Sequence, residues 1–148
     1  MPTEIRRIVT VTDDDGKAVV QYDGPAPTVI ETSPFVTVSN LWITDHFPLP
    51  VDDQNDLGKT KVPRQPPAGH TIFRTVEFKP GNTRDMHVTN SIDFAIVISG
   101  EVELELDDGV KLSMKTGDTL VQQANIHGWN NVGTVPCLIA FVLVSTED

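Results

Sequence analysis

Cysteine is nearly absent from this chain: Cys137 stands alone in 148 residues. One thiol cannot close an internal disulfide, so no covalent framework is available. Lying in the apolar run CLIAFVLV, Cys137 reads as a small core residue in a reducing compartment. Long apolar runs are also missing, and none reaches the length needed to span a bilayer. The N-terminal MPTEIRRIVTVTDDD lacks the apolar centre of a signal peptide, which makes the cytoplasm the expected location. Basic residues are scarce, with 11 Lys and Arg against 21 Asp and Glu and a formal net charge of −10. Such a surface repels phosphate backbones and anionic lipid, which argues against nucleic acid and membrane as partners. The acidic residues themselves are scattered near turn signals and read as solvated loops. There is no G-x-S-x-G, no glycine-rich phosphate loop and no H-E-x-x-H. The common hydrolase, nucleotide-binding and zincin signatures are thereby set aside. No segment holds apolar residues at helical spacing with a cap at each end.

What is present is a succession of short alternating or β-branched stretches divided by Gly, Pro, Asn and Asp. That pattern predicts strands. They are placed at Ile5–Val11, Ala18–Tyr22, Val36–Thr44, Ile72–Lys79, Met86–Ser91, Asp93–Ile98, Val102–Leu106, Val110–Met114, Thr119–Gln122 and Leu138–Val144. Asp107-Asp108-Gly109 reads as a hairpin turn. Many short strands in a chain of this length predict one all-β domain, a sandwich or a closed barrel. The proline-rich stretch from His46 to Gly69 breaks the rhythm. A loop of that length in a compact domain is usually functional or disordered. A lid over a barrel mouth and an arm against a partner subunit both fit it.

The chemistry concentrates in PGNTRDMHVTNSIDFAIVISGEVEL. In an unbroken strand His87, Thr89, Ser91, Asp93, Ala95 and Val97 share one side, with Ile92, Phe94, Ile96 and Ile98 opposite. A histidine and an aspartate facing a greasy interior call for a partner or a cation, because buried charge is costly alone. Downstream, GDTLVQQANIHGWNN adds His127, two residues before Trp129.

The first segment matches G-x5-H-x-H-x3-E-x6-G in spacing, with Gly81, His87, Thr89, Asp93 and Gly100 in its places. The second follows G-x5-P-x-G-x2-H-x3-N as Gly117, Gln123, Ala124, His127 and Asn131, one residue short before the histidine. In these two motifs the chain resembles the small single-domain cupins. The resemblance implies a double-stranded β-helix, or jelly-roll barrel, over residues 1–148. N-terminal strands and the proline-rich loop would occupy 1–70, and a barrel carrying both motifs 71–148. It also implies a homodimer and a site in the barrel. Cupins hold one divalent metal with three histidines and a glutamate; here His87, Asp93 and His127 match three of those places. Thr89 replaces a histidine, and Asp93 is one methylene shorter than glutamate.

Three readings stay open. His87, Asp93 and His127 can form a two-histidine, one-carboxylate site for iron, zinc or manganese. They can instead work without metal, Asp93 pairing with either histidine as an acid–base couple. Or they are a relic that only hydrogen-bonds in the core. Around them, Arg74 in IFRTVEFK shares a face with Ile72, Val76 and Phe78. It either clamps a substrate carboxylate or reaches out to water from an edge. Trp129 stacks on a ligand or packs the core, and Thr89 and Gln122 are candidates to hydrogen-bond a ligand. His46 and His70 read as surface residues. The expected activity is that of a small-molecule lyase, decarboxylase, dehydratase or isomerase of secondary metabolism, acting on an oxygenated, polyketide-like organic acid. An iron-dependent dioxygenase on the same residues and a non-catalytic ligand-binding module are the alternatives.

Overall fold

The computed structural model describes residues 2–146. Eleven strands are formed among them: β1 (Arg6–Thr12), β2 (Ala18–Pro25), β3 (Thr28–Ser33), β4 (Val36–Thr44), β5 (Thr71–Phe78), β6 (Ser91–Ser99), β7 (Glu101–Glu105), β8 (Lys111–Lys115), β9 (Thr119–Gln123), β10 (Gly128–Asn130) and β11 (Cys137–Ser145). The only helical turns among the described residues are two three-residue 3-10 segments, Leu57–Lys59 and Asp107–Gly109. A six-stranded sheet runs β3-β4-β5-β11-β6-β9, and a three-stranded sheet runs β10-β7-β8. The hairpin β1-β2 forms a third sheet of its own. The all-β expectation holds.

Alternation builds the core. Ile72, Val76 and Phe78 of β5 and Ile139, Phe141 and Leu143 of β11 turn inward. They meet Val102 and Leu104 of β7 and Met114 of β8 in one cluster that also holds Trp129 and Cys137. Burial pushes the Cys137 thiol up to about 11, with the charge of Glu101 adding to it, so it is an unreactive packing group.

Two expectations about strands are corrected. Met86–Ser91 is not a strand; only a single antiparallel bridge, His87 to His127, interrupts an irregular run there. The apolar partners that would extend a ladder are lacking in MHVTN, where Val88 and Asn90 face water. Conversely, Thr28–Ser33 forms an edge strand despite its flanking prolines, because an edge position does not need every N–H.

Glycines at 81, 100, 109 and 117 all take positive φ, as their turns require. Gly100, at φ +80, links β6 to β7, and a Cβ there would run into the Pro136 carbonyl oxygen. Gly100→Ala is expected to cost roughly 1–3 kcal/mol, read as a lower urea midpoint at unchanged slope. An unchanged midpoint would contradict the fit described.

Candidate functional site

Between the two sheets lies a cavity of about 660 Å³. His87, Thr89, Asp93, His127, Arg74 and Trp129 all line it, so six of the seven residues picked from the sequence converge on one space. The backbone forces the two histidines together. His87 N–H donates to the His127 carbonyl at 2.9 Å, and His127 N–H donates back at 3.0 Å. Their rings meet edge to face with centroids 4.3 Å apart.

Each imidazole spends the same nitrogen on the main chain. Nδ1 of His127 donates to the Asn125 carbonyl at 2.9 Å, and Nδ1 of His87 to that of Asp85 at 2.6 Å. Those bonds put the lone pairs on Nε2. No hydrogen-bond partner for Nε2 of His127 is found among the described residues, and the side chain lines the cavity. Burial holds the His127 pKa below the ordinary histidine range. The His87 ring and the Arg64 guanidinium push the same way, against the Asn125 carbonyl and Asp93. His127 is therefore a neutral imidazole with its basic nitrogen toward the cavity.

Asp93 does not pair with either histidine, which corrects the acid–base couple read from the sequence. Its carboxylate takes Ser91 Oγ at 2.6 Å, Gln122 Nε2 at 3.2 Å and Thr89 Oγ1 at 3.4 Å. Three neutral donors satisfy it, and the histidine N–H groups are already committed elsewhere. Gln122 is the seventh residue: it does not line the cavity and acts by holding Asp93 from behind.

Nor does the donor set gather around a divalent ion. Among the described residues, no three His, Cys, Asp or Glu side chains are gathered closely enough to share a cation. Asp93 is engaged by its three donors, the family's remaining histidine place is Thr89, and an arginine nitrogen sits 3.0 and 3.3 Å from the two ring nitrogens of His87. This arrangement does not fit a metal held by His87, Asp93 and His127.

Arg74 is buried on β5, which lies between β4 and β11, so it is not an edge residue reaching for water. Its Nη1 donates to the Arg64 carbonyl at 3.2 Å, while its Nε has no partner. Burial pulls its pKa down to about 10, with Asp93 opposing the shift and Arg64 adding to it. Trp129 has the core-packing role considered for it. It packs against Phe78 and Phe141, at ring-centroid distances of 5.7 and 6.0 Å, and lines the cavity. His46 is exposed beside Asp45, and neither it nor His70 reaches the cavity.

Two cavity residues were missed in the sequence. Asn40 follows Val36 and Val38 on the inward face of β4, and its Oδ1 is buried without a partner. A polar residue in an otherwise apolar alternation was the available clue. Arg64 comes from the proline-rich loop, where no periodicity marks a residue as inward. The far end of that loop, Val62-Pro63-Arg64, covers the cavity as a lid would.

Comparison with known proteins agrees with the architecture. The family model described as the cupin domain matches residues 74–144. Oryzines biosynthesis cluster protein J of Aspergillus oryzae is 33% identical over 134 residues, covering 86% of this chain and 75% of that protein. The chain is a cupin. A cupin-domain-containing oxidoreductase, srdD of Neurospora crassa, is 35% identical over 118 residues, which are 75% of this cupin and 60% of the relative. Among solved structures, a Klebsiella pneumoniae protein with a double-stranded β-helix domain superposes with a TM-score of 0.56 at 20% identity. That match covers 80% of this cupin and 84% of the other chain, and it bears on the fold alone.

Proposed function

We propose that this cupin is a small-molecule enzyme of secondary metabolism that moves a proton within an oxygenated organic acid. The reaction class is lyase, decarboxylase, dehydratase or isomerase. One observation carries the reading. A neutral imidazole, His127, presents its basic nitrogen to a cavity whose wall also holds the buried guanidinium of Arg74. An acid whose carboxylate sits on Arg74 brings its neighbouring carbons before a base. Asp93, fixed by Ser91, Thr89 and Gln122, adds a negative charge that favours the imidazolium once it has formed. Trp129 and Phe141 give the cavity an apolar, aromatic side against which a substrate's carbon skeleton can lie. Kinship with a biosynthesis-cluster protein supports a place in secondary metabolism.

The test is exchange of carbon-bound hydrogen in deuterium oxide, followed by NMR over a panel of oxo and hydroxy acids. Exchange or turnover by the wild type, lost in His127→Gln and indifferent to chelator, is the expected result. The oxidoreductase names of relatives favour a second reading, an iron-dependent dioxygenase. It requires His87 to give up Arg64 and Asp93 to turn from its three donors, whereas Nε2 of His127 has no partner among the described residues. Stoichiometric iron with oxygen uptake would establish it over the first. Ligand affinity without turnover, unaffected by loss of His87, Asp93 or His127, would leave a binding module.

We also propose a homodimer through the outer face of the six-stranded sheet. Trp42, Phe73, Val142, Phe94 and Val121 are register neighbours in one row across five strands. Phe73, Phe94 and Val121 stand 43%, 48% and 58% exposed. Two copies of a chain carrying −10 repel each other wherever charge meets charge, and this row has none. Phe94→Asp is expected to convert a dimer to a monomer in sedimentation velocity. A wild-type monomer would refute the assignment.

A further inference from the structure

Resting on the proton-transfer reading above, we propose that Arg64 is the second anion-binding group of the cavity, receiving the oxygen on which charge appears when His127 takes the proton. In a chain with nearly twice as many acidic as basic side chains, the cavity reverses the balance. Its charged lining is Arg64, Arg74 and Arg84 against Asp85 and Asp93. Arg84 is spent on Glu105, at 2.5 Å, and Asp93 is satisfied by its three donors. That leaves Arg64 and Arg74 as the lining cations not paired with a buried carboxylate.

Arg64 is placed for the task and weakly engaged. Its Nη1 reaches Asp85 at 3.0 Å, a pair 59% and 74% exposed, the kind that contributes little and is given up easily. Its Nη2 lies against the His87 ring. Since Nδ1 of His87 donates to the Asp85 carbonyl, only Nε2 can accept from Arg64, and it does so at a long 3.3 Å. A guanidinium prefers a planar oxyanion to a distant imidazole. The segment is held at the cavity mouth by two further bonds. Gln65 Nε2 donates to the Val88 carbonyl at 2.8 Å, and the Arg64 carbonyl accepts from Arg74. The Arg64 charge also reaches His127, in whose titration it is felt.

The chemistry balances without a co-reactant. A carbon–hydrogen bond next to a carbonyl breaks, and its proton goes to Nε2 of His127. The electron pair moves to the carbonyl oxygen, giving an enolate that Arg64 neutralises. The imidazolium then returns the proton, to the same carbon in exchange or to another in isomerisation. The substrate class that follows is an acid with an enolisable carbonyl, its carboxylate on Arg74 and its carbonyl oxygen at Arg64.

The test uses benzoate, which offers a carboxylate only, and 4-hydroxy-3-nitrobenzoate, which adds a phenol whose ionisation is read by visible absorbance. Both are titrated into the full chain by calorimetry, and the phenolate fraction of the bound nitrophenol is followed against pH. In the wild type the bound phenol should ionise at lower pH than in solution. Arg64→Gln should reduce the bound phenolate-to-phenol ratio about tenfold at a given pH, with Arg64→Lys intermediate, as loss of one charge-assisted hydrogen bond requires. Benzoate affinity should stay within about twofold in Arg64→Gln and fall about tenfold or more in Arg74→Gln. An unchanged phenolate fraction in Arg64→Gln, or an equal loss of benzoate, overturns the assignment of Arg64 while leaving Arg74 its role. Failure of both ligands to bind the wild type removes the acid-binding reading itself, and this proposal with it.

Discussion

Replacing His127 by glutamine is expected to lower turnover by about a hundredfold to ten-thousandfold, the range associated with a positioned general base. Far-ultraviolet circular dichroism should stay unchanged. The fold should tolerate the exchange because the paired bonds between residues 87 and 127 belong to the backbone and do not depend on the ring. Glutamine preserves a polar side chain of similar reach but offers no nitrogen that can take a proton. The pH profile supplies a second check. Burial favours the neutral imidazole, so the acid limb of kcat/KM, which reports the free enzyme, should fall below the ordinary histidine value of about 6.5. His87→Gln should cost much less, since the base is Nε2 of His127, which has no partner among the described residues. Equal losses in the two variants would contradict the assignment of His127 as the base.

The second large effect concerns stability. Arg7 of β1 forms a two-pronged pair with Asp56 in the long loop, both contacts at 2.6 Å, and donates to the Leu41 carbonyl at 3.1 Å. The two side chains are 9% and 6% exposed. Arg7→Ala would leave a buried carboxylate without its counter-charge, a change that costs roughly 3–5 kcal/mol. Replacing both partners by apolar residues should cost less, because no charge is then stranded. The pair also sets an acid limit. Arg7 holds the Asp56 carboxyl below the usual carboxylate range, against the opposing effect of burial. Its contribution is present above the unfolded value of about 3.9 and is lost as pH falls through the lower folded value. Thermal melts of wild type and Arg7→Ala should thus differ most near neutrality and converge in strong acid. Parallel curves at every pH would show that the ion pair is not what anchors the loop.

Much of this was legible beforehand, for reasons particular residues make clear. Val36–Thr44 was placed with the bounds the structure has, because its alternation is strong and its ends are marked. His87, Asp93 and His127 could be assigned to one interior through the resemblance of the two motifs to those of cupins, while Arg74 stayed open between a clamp and an edge residue. What stayed hidden depends on distance in the chain. Nothing local shows that Ser91, Thr89 and Gln122 would claim Asp93 and so keep it from the imidazoles. Arg64 was invisible because irregular backbone has no face to read, so its place follows only from tertiary contacts such as Gln65 to Val88. β10, three residues long, is too short for any pattern to declare.

The bond from Arg74 to the main-chain oxygen of residue 64 joins the deepest cation of the barrel to its outermost cover. A guest that takes the unpartnered Nε of Arg74 leaves that tether in place, and one that also meets Arg64 is held by floor and cover together. By thermodynamic reciprocity, whatever steadies the cover strengthens the grip below by the same factor. Admission and retention are then a single equilibrium viewed from two ends.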